Sequence, residues 1–147
     1  MFKELVALRE AYVCMSLIEV FDEAVKSRVL KRMEKLQTSV FSIVNAKEAN
    51  KDDAATWRVP LLCDFALCYM LAGERETAYD YLREASYLEA KVWVHSGVQD
   101  QVAVLIRTLE GDAEYVEEFI RSSPYLSQDS PVAKALEKLV MQVPQTR

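Results

Sequence analysis

The chain holds one histidine, three cysteines and one acid inside its most apolar run, and these set what chemistry it could perform. A Cys–His or Ser–His nucleophile would have to use His95, because a nucleophile needs its base within hydrogen-bond reach. His95 stands in VWVHSG, at the expected end of a helix, where an imidazole more simply caps carbonyls. Cys14, Cys63 and Cys68 contain no CxxC spacing. Cys63 and Cys68 are five residues apart and do not share a helical face, so no structural zinc site is expected. The odd number of thiols suits a reducing compartment, and a cytoplasmic location is expected. Gly73, Gly97 and Gly111 stand alone and form no phosphate-cradling loop, so no cofactor is implied.

The carboxylates divide in the same way. Asp52-Asp53, Glu117-Glu118 and the pair Asp112, Glu114 read as solvated faces, with Asp112 and Glu114 placed where a helix dipole favours negative charge. Asp64 differs, being the one charge among residues 61–72. A buried carboxylate costs several kcal/mol unless paired. Arg58 or Lys91 would be its partner, or it faces water along the helix's one exposed edge; both readings stay open. The basic residues Lys26, Arg28, Lys31, Arg32 and Lys35 face only Glu34 in their segment. Arg28, Lys31, Arg32 and Lys35 lie at helical spacing opposite the apolar stripe through Val29, Met33 and Leu36. They form a solvated face, or a surface for an acidic partner, for an anionic membrane surface, or for the acidic C-terminal half of this chain or of another copy.

The elements that must position these groups are helical. Glycine and proline together supply seven of 147 residues, about 5% where about 12% is usual. Sandwiches and barrels need those residues at their corners and are excluded. The length fits one domain, and a hydrophobic share of 51% supplies a core. Net charge is −5, split as +1 over residues 1–50 and −6 over residues 51–147. That balance, with no aromatics interleaved among the basic residues, argues against nucleic acid. No run reaches the roughly 18 apolar residues of a membrane helix. The opening MFKELVALREAYVCMSL mixes charge into its apolar residues and is not expected to be a signal peptide.

Leu5, Leu8, Tyr12, Met15 and Ile18 form one helical stripe. Val25, Val29, Met33, Leu36, Val40 and Ile43 or Val44 form a second. With Asp22 or Ser27 as N-cap, they predict a hairpin of helices over 2–20 and 24–46, the alternative being one continuous helix. Residues 45–56 read as a polar linker, and Pro60 as the first turn of the next helix. That helix runs to residue 72, where Gly73 ends it; another follows to about residue 94. A break at 95–97 precedes helices over 99–109, 113–122 and 131–142, the last with Ser130 as N-cap. The expected fold is all-α, with about seven helices.

Residues 62–85 resemble the tetratricopeptide repeat, about 34 residues of helix–turn–helix. Leu62, Phe65, Ala66 and Tyr69 stand at its first four signature positions, Gly73 at the turn, and Ala78 with Leu82 at its A-x3-F. Ala90 replaces the usual Pro, so the second helix should run on. A shift of 38 aligns Gly73-Glu74 with Gly111-Asp112, Ala78 with Val116 and Leu82 with Ile120, a degenerate second copy. The resemblance implies one domain composed of an N-terminal hairpin (1–48), a repeat (59–94) and a degenerate repeat with a last helix (98–145).

It also implies a concave groove lined by Cys63, Leu67, Met70 and Leu71. All four are apolar where chaperone-binding members of the family carry Lys, Asn and Arg, so their carboxylate clamp is absent. Such a face either accepts an amphipathic segment of a partner or is filled by the chain's own hairpin. The expected function is a non-catalytic chaperone, adaptor or assembly factor that binds another protein. A self-associating or immunity-type protein acting through charged faces is the alternative. A small hydrolase or transferase using His95 or Asp64 is the third.

Overall fold

Most helices begin or end where a side chain or a glycine satisfies backbone groups that the helix itself leaves open. The computed structural model describes residues 2–18, 22–47, 51–91, 96–124 and 126–143, without the side chains of residues 2, 43–47, 51–57 and 96. These residues form seven α-helices: α1 Phe2–Ser16, α2 Glu23–Lys47, α3 Lys51–Leu71, α4 Arg75–Glu89, α5 Ser96–Glu110, α6 Ala113–Ser122 and α7 Pro131–Gln142. No strand occurs among the described residues. Asp22 opens α2 by accepting from the Ala24 amide at 2.9 Å. Asp112 does the same for α6 through the Tyr115 amide at 3.1 Å, and Ser130 for α7 through Ala133 at 3.2 Å. Pro131 follows as the first residue of α7, where a missing N–H costs nothing.

Two helix ends share one geometry. Gly73 has φ +81° and Gly111 φ +78°. The amides of Gly73 and Glu74 return to the carbonyls of Met70 and Tyr69 at 3.1 and 2.9 Å. Those of Gly111 and Asp112 return to Thr108 and Arg107 at 3.1 and 3.0 Å. This paired closure needs a left-handed residue, which glycine adopts without a Cβ penalty.

Helix α3 lies at the centre, packed against α1, α2, α4, α5 and α7, with its most extensive contact to α4. Ala66, Ala78 and Ala85 are fully buried, which lets the α3 and α4 backbones approach while Leu62, Phe65 and Leu82 fill the flanks. An aromatic layer joins α2 to this pair. Phe41 meets Phe65 edge-on at 6.4 Å, and Tyr81 stacks on Phe65 at 5.8 Å and on Tyr69 at 5.4 Å. The two hydroxyls are held from α2: Tyr69 donates to Glu34 at 3.0 Å, and Gln37 donates to Tyr81 at 2.6 Å. Arg58 covers the outer edge, 4.3 Å from the Phe41 ring, and donates to Glu84 at 2.7 Å. Lys138 of α7 donates to the Ser16 carbonyl at 2.8 Å and closes the molecule onto α1.

The N-terminal stripes form a hairpin, not one helix, but α1 stops at Ser16 instead of residue 20. Its last amides, Leu17 and Ile18, reach back only three residues in a tightened turn. The polar 45–56 segment is largely helical: α2 reaches Lys47 and α3 begins at Lys51. Asp52 and Asp53 suit a first turn and Ala54 and Ala55 are strong helix formers, so a polar composition there is compatible with helix. Pro60 consequently sits inside α3, where it leaves the Thr56 carbonyl without its helical donor. Helix α4 ends at Glu89 although Ala90 permits continuation; the Val92-Trp93-Val94 sequence beyond is β-branched and aromatic, and helix-poor. Gly97 falls in the first turn of α5, not in a break. His95 lies outside the described residues.

Candidate functional site

A concavity of about 550 Å³ opens between α1, the first half of α2 and the α3–α4 turn. It is lined by Leu30, Leu71 and Ala72 and by the charged Glu23, Lys26, Lys31, Glu34 and Glu74. The hairpin brings the α2 residues here because Asp22 starts α2 beside Tyr12. The α3–α4 side is set by the left-handed Gly73, which turns the chain within three residues. Members of both expected groups meet in this cleft: Leu71 from the apolar face, and Lys26 and Lys31 from the basic cluster.

The other members of those groups lie elsewhere. Cys63, Leu67 and Met70 are buried, at 0, 1 and 4% exposure. The groove face is thus covered by the chain itself: Leu67 faces Arg9 of α1 and residues of α5 and α7, and Met70 faces α5 and α7. Leu71 alone of the four is half-buried. On α2, Arg28, Lys31, Arg32 and Lys35 are exposed, whereas Lys26 is buried. Lys26 lays its stem along the core with its ammonium 5.3 Å from the Tyr12 ring centre and 3.7 Å from Glu23. Arg32 pairs with Glu4 at 2.8 Å. That hydrogen bond holds the Glu4 carboxyl below its ordinary range and raises Arg32. The contact is therefore with α1, not with the acidic C-terminal half.

Asp64 finds its counter-ion on another helix than expected. Arg58 is engaged with Glu84, and Arg9 of α1 approaches Asp64 at 3.5 Å while also pairing with Glu10 at 2.8 Å. Burial pushes the Asp64 carboxyl up to about 6, with Arg9 opposing and Glu10 reinforcing the shift. The neighbouring thiols are pushed up by burial, Cys68 to about 12 and Cys63 further, with Asp64 adding to both. They are protonated and unreactive at neutral pH. All three cysteines are free, and Cys14 is exposed. No group of three or more His, Cys, Asp or Glu side chains is placed to hold a metal among the described residues. No described helix is long and apolar enough to cross a membrane.

Two contributors escape sequence reasoning, Arg9 and Tyr12. Tyr12 reads only as one member of a stripe, yet its ring supports Lys26, and burial pushes its hydroxyl up to about 12. Arg9 carries a usable signal. It lies four residues from Leu5 and three from Tyr12, a charge on an apolar face, as Asp64 is on its own. Two such lone charges of opposite sign are candidates for one pair. Among its described residues the molecule is all-α, with seven helices. Compared with known proteins, it matches no family model, no curated protein and no solved structure.

Proposed function

We propose that this chain is a non-catalytic, tetratricopeptide-like interaction module of the cytoplasm, a chaperone, adaptor or assembly factor. It holds a helix or peptide of a partner protein in the cleft between α2 and the α3–α4 turn. The observation that carries this reading is the lining of that cleft. The buried Leu30, the half-buried Leu71 and the exposed Ala72 line one concavity of about 550 Å³ together with charges of both signs. An amphipathic segment matches it, with its apolar anchors on Leu30 and Leu71 and its polar flanks meeting Lys31, Glu23 and Glu74. The exposed Arg28 and Lys35 extend the basic rim along α2 and favour acidic residues flanking the anchor.

The test is a photo-crosslinking amino acid at Ser27, which is exposed on the cleft rim, in the native cells. A discrete partner should be captured from Ser27 and not from the exposed Tyr87 on α4. The doubly substituted Lys31→Glu, Leu71→Gln chain should fold and lose that capture. Equal capture from both positions, or capture unaffected by the double substitution, refutes the reading. Self-association is favoured by a separate observation: exposed Glu114 and Glu117 on α6 repeat the three-residue spacing of Arg28 and Lys31 on α2. It predicts a salt-sensitive dimer in sedimentation, and a crosslink from Ser27 to a second copy.

A further inference from the structure

The partner cleft holds one charge that its own chain leaves half-matched. Lys26 is buried, with its side chain 10% exposed, and its carboxylate contact among the described residues is Glu23 at 3.7 Å, beyond hydrogen-bond reach. The Tyr12 ring, its centre 5.3 Å from the ammonium, offers only a π face. An ammonium carries three donors, and burying it without acceptors is costly. Arg9 Nε and Glu89 Oε2 are sealed from solvent without a partner; the Lys26 nitrogen is not in that state. Lys26 belongs to the lining of the cleft, where an incoming acceptor reaches it.

The acids around the cleft do not fill that need. Glu23 lies three residues away on the same helix with its side chain 85% exposed, and such exposed pairs contribute little. Glu34 accepts from the Tyr69 hydroxyl at 3.0 Å, and the exposed Glu74 makes no side-chain cap. Glu23 and Glu74 can turn to water, whereas Lys26 cannot. The exposed Lys31 lines the same cleft and adds a second cation. The buried Leu30 stands four residues beyond Lys26, one turn along α2, with about 5–6 Å between such Cβ atoms. An acid and an apolar anchor one turn apart on another helix match that pair.

We propose that the segment held in this cleft is a helix with a glutamate one turn from an apolar anchor. The glutamate carboxylate accepts from Lys26 Nζ, and the anchor rests on Leu30 and Leu71. Glutamate, one methylene longer than aspartate, reaches a nitrogen that lies below the rim. The inference rests on the partner-cleft reading and adds to it the acid that the cleft selects. A charge-assisted hydrogen bond formed out of bulk water is among the stronger polar contacts.

The full chain should be titrated with three acetylated, amidated helical peptides of alanine and glutamine, following the methyl resonances of Leu30 and Leu71. Each carries one leucine, preceded four residues earlier by glutamate, glutamine or lysine; the amide removes the terminal carboxylate. The glutamate peptide is expected to bind about tenfold more tightly than the glutamine peptide, and the lysine peptide most weakly. Lys26→Met, which keeps the stem over Tyr12 and removes the ammonium, should erase the difference between glutamate and glutamine, with a thermal melt checking the fold. If that variant does not fold, the ranking of the three peptides on the parent chain decides. Equal binding of glutamate and glutamine peptides, or tighter binding of the lysine peptide, overturns this inference and leaves the cleft as a partner site. So does a glutamate advantage that persists in folded Lys26→Met. Binding by none of the three peptides at the Leu30 and Leu71 methyls overturns both the inference and the reading beneath it.

Discussion

Asp64 and Arg9 meet in the interface of α1 with α3, where removal from water opposes charge on the acid. The carboxyl is raised from 3.8 to about 6, so between those values the folded chain binds more protons than the unfolded one. Stability contributed at this site is therefore greatest at acid pH and falls as pH rises through that window. At about 1.4 kcal/mol per unit, the ionised acid costs about 3 kcal/mol above pH 6. Urea unfolding at pH 4.5 and pH 7 should show about 2 kcal/mol of this loss in the parent, and Asp64→Asn should remove most of it. A parent profile matched by the variant would mean that Asp64 is ionised freely in the fold.

Among the elements, the turns after α3 and α5 are the same device 38 residues apart, closed by Gly73 and by Gly111. The residues that follow differ in a useful way. Glu74 and Asp112 occupy equivalent N-cap positions, with φ, ψ of −96°, 72° and −81°, 78°. Asp112 accepts from the Tyr115 amide, whereas Glu74, one methylene longer, makes no side-chain cap. Glu74→Asp should place the carboxylate on the α4 amides and stabilise the chain by roughly 0.5–1 kcal/mol. Thermal denaturation measures it; an unchanged midpoint would show that the α4 amides are already satisfied. Sequence reasoning aligns these two turns through their glycines, because a left-handed helix end admits few other residues. It misplaces the linker and Pro60, because a solvated helix end and a polar loop share one composition.

At the scale of the molecule, α3 packs against five other helices of its own chain. Leu67 is 1% exposed, so Leu67→Ala should cost about 2–5 kcal/mol. Leu67→Glu should abolish cooperative urea unfolding, because it buries an unpaired charge. A folded Leu67→Glu chain that merely lost its partner would restore the open groove that the repeat resemblance implies. The half-buried Leu71 should accept Gln with little loss, which is why the partner cleft is tested there and not at Leu67.

What the sequence alone determined is local in origin. The all-α class, the bounds of α6 and α7, the Asp112 and Ser130 caps and the Gly73 turn rest on propensity, periodicity and capping within a few residues, whereas the choice of Asp22 over Ser27 as the cap of α2, and of a hairpin over one helix, was left to the structure. Tertiary structure decided which apolar face stayed open and which charges met. It covered Cys63, Leu67 and Met70, left Leu71 at a cleft with Lys31, and gave Asp64 to Arg9 across 55 positions rather than to Arg58 beside it. The physical reason is that an apolar stripe specifies burial without naming its partner. Which helix covers it depends on how all seven share the core, and no periodicity within one helix encodes that.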